Sequence, residues 1–123
     1  MLYTYKDLTV WQKALDLAEE TYKATRAFPN EEKYGLISQM RRSAVSISSN
    51  IAEGRLRGTE KYCRIFFLHA LGSAGELDTQ VQISKRVLTT PVDTARMESL
   101  LDEVIRMLNK MIEQLSVAAD LRT

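Results

Sequence analysis

The chain has one cysteine, Cys63, and one histidine, His69, among its 123 residues. A lone thiol cannot close an internal disulfide, which suits a reducing cytoplasm. A lone imidazole excludes the di-iron centre that helical bundles can hold, because that centre takes two Glu-x-x-His pairs and further glutamates. No Cys-x-x-Cys-His haem attachment is present, and His69, alone on an apolar stretch, reads as a hydrogen-bonded core residue. Cys63 has no histidine within a helical turn, so it reads as a small half-buried side chain and not as a nucleophile. Gly54-Arg55-Leu56-Arg57-Gly58 lacks the Gly-Lys-Ser/Thr ending of a phosphate loop. No catalytic residue, metal ligand or cofactor is therefore expected. No apolar run approaches the roughly 20 residues that span a bilayer, and the first residues lack the apolar region of a signal peptide. The net charge of +1 demands neither a nucleic acid nor a membrane as partner.

Glycine and proline are also scarce, five and two respectively, and they are badly placed for a β protein. The breakers cluster at Phe28-Pro29-Asn30, Gly54–Gly58 and Thr89-Thr90-Pro91. They divide the chain into four long pieces, each with helical periodicity. The spacing predicts helices at about 7–27, 31–53, 60–87 and 91–117, each roughly 30 to 42 Å long at 1.5 Å per residue. Short connections make neighbours antiparallel, so the expected fold is all-α, a single up-down-up-down four-helix bundle. In the first helix Leu8, Trp11, Leu15, Ala18 and Tyr22 form the expected apolar stripe. In the second it is Leu36, Met40, Ala44, Ile47 and Ile51, with Asn30 as N-cap and Gly54 as the left-handed C-terminal residue. In the third, Tyr62, Phe66, His69, Ser73, Leu77 and Gln80 share one side. The fourth should start at Pro91 behind a Thr90 cap, bury Met97, Leu101, Val104, Leu108, Met111 and Leu115, and fray after about Val117.

Two features go beyond a plain core. The run from Ile65 to Leu71 is apolar nearly all round, more than one bundle face can bury, so Ile65, Phe67 and Leu71 are expected to meet another copy of the chain. Gly72 and Gly75 each cost about 1 kcal/mol against alanine in a helix, which is tolerable where another helix approaches closely. Beside the apolar stripe of the second helix runs a polar one, Gln39, Ser43, Ser46, Asn50 and Glu53. With Arg41, Arg42, Glu76 and Gln80 it reads as a structural cluster, Glu76 pairing inside the bundle with Arg41 or Arg42.

Charge is unevenly spread. From Arg41 to Arg64 the cations Arg41, Arg42, Arg55, Arg57, Lys61 and Arg64 meet only Glu53 and Glu60, a net +4. The turn between the second and third helices is thus a local basic patch. Arg55, Arg57, Lys61 and Arg64 read either as phosphate contacts or as a solvated helix end.

The order of residues also resembles a known family. It runs Tyr5-Lys6-Asp7-Leu8-x-x-Trp11-x-x-Ala14, then Phe28-Pro29-x-Glu31-x-x-Tyr34-Gly35-Leu36. Next come Gln39-x-Arg41-Arg42-Ser43-Ala44-x-Ser46-Ile47-x-x-Asn50-Ile51-Ala52-Glu53-Gly54 and Ser73-x-x-Glu76-Leu77. This resembles the bacterial 23S ribosomal RNA intervening-sequence proteins over nearly the whole chain. The resemblance implies a four-helix bundle that assembles into a ring, typically a homopentamer, without catalytic residues. A more distant similarity is to the accessory variability proteins of retroelements, bundles that bind nucleic acid and a reverse transcriptase. The function expected from both is a non-enzymatic, cytoplasmic RNA or ribonucleoprotein scaffold. The alternative is a protein-interaction accessory subunit, for example of a reverse transcriptase, with no RNA contact of its own.

Overall fold

The computed structural model describes the backbone of residues 4–122 and the side chains of residues 4–115. Among these residues the regular structure is all helical, with no strand. The four helices are α1 (Thr9–Arg26), α2 (Leu36–Leu56), α3 (Glu60–Val87) and α4 (Ala95–Arg122), and short 3₁₀ turns at Tyr5–Asp7 and Asn30–Glu32 precede α1 and α2. Each helix packs on two others, α1 on α2 and α4, and α3 on α2 and α4, while the diagonal pairs stay apart. Two cross-links fix the sense of α1 against α4: Lys13 meets Glu103 at 3.4 Å, and Glu20 meets Arg96 at 3.3 Å. Rising numbers on one helix against falling numbers on the other mean antiparallel packing. The Ser46–Ser73 contact and the approach of Gly54 to Cys63 give the same sense for α2 and α3.

The core is one continuous cluster, and α2 and α4 enter it with most of the residues their periodicity picks out, although Met111 and Leu115 are only half-buried and Leu100 and Ile112 are buried as well. Met40, Ala44, Ile47 and Ile51 are fully buried, as are Met97, Leu101, Val104 and Leu108. Two stripes are corrected. The buried face of α1 is Val10, Ala14, Leu17, Thr21 and Thr25, whereas Leu15 is 42% exposed and Tyr22 also faces water. The buried face of α3 is Cys63, Phe67, Ala70, Ala74, Leu77 and Val81, one step round from the expected side. Thr21 and Thr25 are tolerated inside because their hydroxyls donate to the carbonyls of Leu17 (2.8 Å) and Thr21 (2.7 Å). A buried hydroxyl that finds a backbone acceptor avoids the cost of desolvation.

The ends differ from the expected ones for local reasons. Asn30 begins a 3₁₀ turn, and α2 itself starts only after Gly35, whose backbone (φ −110°, ψ −111°) is not helical. Glu32 reaches forward to accept from the Leu36 amide. Helix α4 starts at Ala95, four residues after Pro91, with the Asp93 carboxylate accepting from the Ala95 amide at 3.0 Å. At its other end the helical backbone runs on to Arg122, past the expected fraying point, whose side chains lie outside the described residues. Gly54 does not end α2. It lies buried within the helix, and Gly58 (φ +80°) makes the left-handed step into α3.

Candidate functional site

The close approach at Gly54 decides where the α2–α3 turn sits. A β-carbon there would lie 3.2 Å from the Cys63 carbonyl oxygen and from side-chain carbons of Phe66 and Phe67. Only a bare backbone lets α2 pass α3 at that distance, and the passage holds both helix ends together at one end of the bundle. Gly58 supplies the reversal, and Thr59 caps α3 by accepting from the Tyr62 amide at 3.3 Å.

The turn gathers the four expected cations at this end but not onto one surface. Arg57 lies on the α3 side, its guanidinium 5.2 Å from the Phe66 ring centre and 6.0 Å from that of Tyr62. Its Nη2 also donates to Glu53 Oε1 at 3.1 Å. Lys61, one residue before Tyr62, is exposed and makes no ion pair with another described residue. Arg55 turns the other way, into a recess of about 220 Å³ lined also by Gly58, Thr59, Glu60 and Cys63. There burial pushes the Cys63 thiol up, while the neighbouring Arg55 guanidinium partly opposes the shift. A raised thiol stays protonated near neutrality and is a poor nucleophile. Arg64 is half-buried. Arg41 and Arg42 lie about 20 Å back along α2, at 1.5 Å per residue, and are not part of this end.

The expected polar cluster is not one network. Arg41 turns to α1, where its Nε donates to Thr25 Oγ1 at 2.9 Å and its guanidinium covers the Tyr22 ring at 4.4 Å. Asn50 donates to the Ser46 carbonyl at 2.8 Å, and the Ser46 and Ser73 hydroxyls meet at 2.9 Å between α2 and α3. Glu53 belongs to Arg57. Glu76 is exposed, and it pairs with neither Arg41 nor Arg42, correcting the expectation of a buried pair. Helical geometry explains this, because Glu76 lies on the side of α3 away from Ala74 and Leu77. Together with Ser46, Asn50, Ile65, His69 and Ser73 it lines an open groove of about 500 Å³ along the α2–α3 seam. Gln39 and Arg42, both exposed, line its continuation. His69 is likewise outside the core, tilted against Phe66 with ring centres 5.7 Å apart.

The expected assembly residues also divide. Phe67 is 1% exposed and belongs to the core, so it is not available to another copy. Leu71 is half-buried and packs against the same core, and Ile65 lies in the seam groove. The outward apolar side chain of this run is Leu68, 39% exposed, a residue outside the expected set. A β-carbon built at Gly72 or Gly75 would meet no atom within 4 Å beyond the local backbone of α3 itself. Within one chain, then, no helix approaches them.

Among the described residues no three His, Cys, Asp or Glu side chains come together to hold a metal ion, and no helix is long and apolar enough to cross a membrane. No curated protein matches the chain. The model of the family described as 23S rRNA-intervening sequence protein matches residues 6–110, which takes in α1, α2, α3 and the first half of α4. The chain belongs to the 23S rRNA-intervening sequence protein family.

Proposed function

We propose that the protein is a non-enzymatic, homo-oligomeric helical bundle that acts in the cytoplasm as a scaffold associated with RNA or ribonucleoprotein. The observation that carries the RNA part is the α2–α3 turn, where Arg57 and Lys61 are presented beside the exposed Tyr62, with Arg55 and Arg64 at the same end of the bundle. Cations in this setting hold a phosphate backbone without reading its sequence, each neutralised phosphate releasing counterions. The family description fits an RNA-associated role.

The oligomeric part rests on α3. Leu68 and Ile83, 39% and 44% exposed, lie on the same outward side as Gly72 and Gly75, both open to a second chain. Between Ile65 and Ser84 the charged residues are Glu76 and Asp78, so this face is poor in charge. The resemblance sets the expected number at five, and a cyclic assembly repeats the basic end once per subunit. The same charge-poor face also favours a second reading, in which the bundle is an accessory subunit docking a protein such as a reverse transcriptase.

Fluorescence anisotropy with a labelled structured RNA separates the two. On the RNA reading, affinity falls steeply with salt, and replacing Arg55, Arg57 and Lys61 together by serine weakens binding to all sequences alike. Absence of binding at about 50 mM salt removes the RNA reading and leaves the protein-docking one.

A further inference from the structure

The basic end carries more than charge. Tyr62 is 45% exposed. Arg57 lies over the rings of Tyr62 and Phe66, 6.0 Å and 5.2 Å from their centres, and its ion pair with Glu53 holds it there. Leu56, one residue earlier, is 68% exposed. An exposed ring and an exposed apolar side chain beside a held guanidinium are a poor fit to a duplex, whose bases are stacked on each other and hidden. They are a good fit to an unpaired base, which stacks on an aromatic ring or on a guanidinium plane while neighbouring cations take the phosphates.

We infer that Tyr62 and Arg57 form a stacking platform for unpaired nucleotides, with Lys61 as its phosphate contact, so that the protein selects single-stranded or looped RNA over duplex RNA. This rests on the RNA reading given above. It adds a preference that charge alone does not supply, because counterion release is weaker for a single strand than for the more densely charged duplex. Glu53 is a positioning residue, holding Arg57 over the rings.

The test compares two labelled probes, a single-stranded RNA of about 12 nucleotides and a duplex of the same length, bound to the full chain and to the Tyr62→Leu and Tyr62→Phe variants. Tyr62 is partly exposed, and circular dichroism checks that both variants keep their helices. The platform predicts tighter binding of the single strand. It also predicts that Tyr62→Leu lowers single-strand affinity by about tenfold with the salt dependence unchanged, and that Tyr62→Phe retains it. Equal affinity for the two probes, or an unchanged Tyr62→Leu variant, overturns the platform and leaves the RNA reading standing. If neither probe binds at about 50 mM salt, the RNA reading fails and the platform fails with it.

Discussion

Phe67 and Leu68 are adjacent and similar in hydrophobicity, yet one is sealed in the core and the other faces out. Truncating the first leaves a cavity, so Phe67→Ala is expected to cost about 3–5 kcal/mol in urea unfolding, and Leu68→Ala within about 0.5 kcal/mol. Phe67→Glu would therefore unfold the chain instead of dissociating an assembly, and Leu68→Glu is the variant that probes assembly. Glu76→Ala, on an exposed side chain, should be as mild as Glu113→Ala. Glu98 carries the pH-dependent contact. Burial pushes its carboxyl up, but hydrogen bonds from Lys85, Thr94 and Gln82 outweigh that and hold it below the ordinary glutamate range. A depressed carboxylate stabilises the fold above the ordinary value and loses that contribution as pH falls through the lowered one. Glu98→Gln should accordingly be less stable than the native chain near neutrality, by less than about 1 kcal/mol for so exposed a pair. The difference in Tm should close on acidification, and a difference that persists at low pH would assign it to packing. At this scale the sequence was partly legible. Thr21 and Thr25 hid the true core stripe of α1, since polar residues are discounted until their backbone acceptors are visible. Glu76 misled for the opposite reason, because apolar sequence neighbours do not place a residue inside a helix bundle.

At the level of the helices, four elements and their order follow from the 3.6-residue periodicity, and the structure agrees. Boundaries were harder, because they depend on single side chains such as Asp93 and Glu32 that intercept a free amide. The glycines make sharp tests. Gly54→Ala would press a methyl against a backbone oxygen and the Cβ of Phe66, which α3 holds in place, so a loss of about 1–3 kcal/mol is expected. Gly58→Ala meets no neighbour, but its φ of +80° costs an L-residue about 1–2 kcal/mol. Gly72→Ala and Gly75→Ala, open within one chain, should each raise the stability of the isolated bundle by about 1 kcal/mol. If both variants stabilise the monomer but weaken association, the open side of α3 is where the next copy sits. Thermal unfolding at several protein concentrations reads both effects.

For the molecule as a whole, charge provides the functional contrast. The outer sides of α1 and α4 carry mixed charges such as Lys13, Glu20, Arg96, Asp102, Glu103 and Arg106, several of them paired. The outer side of α3 carries few, and the α2–α3 turn carries cations beside an exposed ring. The basic patch was legible in the sequence as a run of arginines and lysines. Its division into an Arg57–Tyr62 surface and an Arg55–Cys63 recess was not, because the direction of each side chain depends on the close pass at Gly54. The basic turn of an assembled bundle is the proposed RNA-holding end. Sedimentation velocity with a fluorescently labelled structured RNA at about 50 mM salt tests it most directly. The RNA is expected to sediment with a protein species several times heavier than the 14.0 kDa chain and to be released as salt rises. RNA that sediments alone at every protein concentration would contradict it.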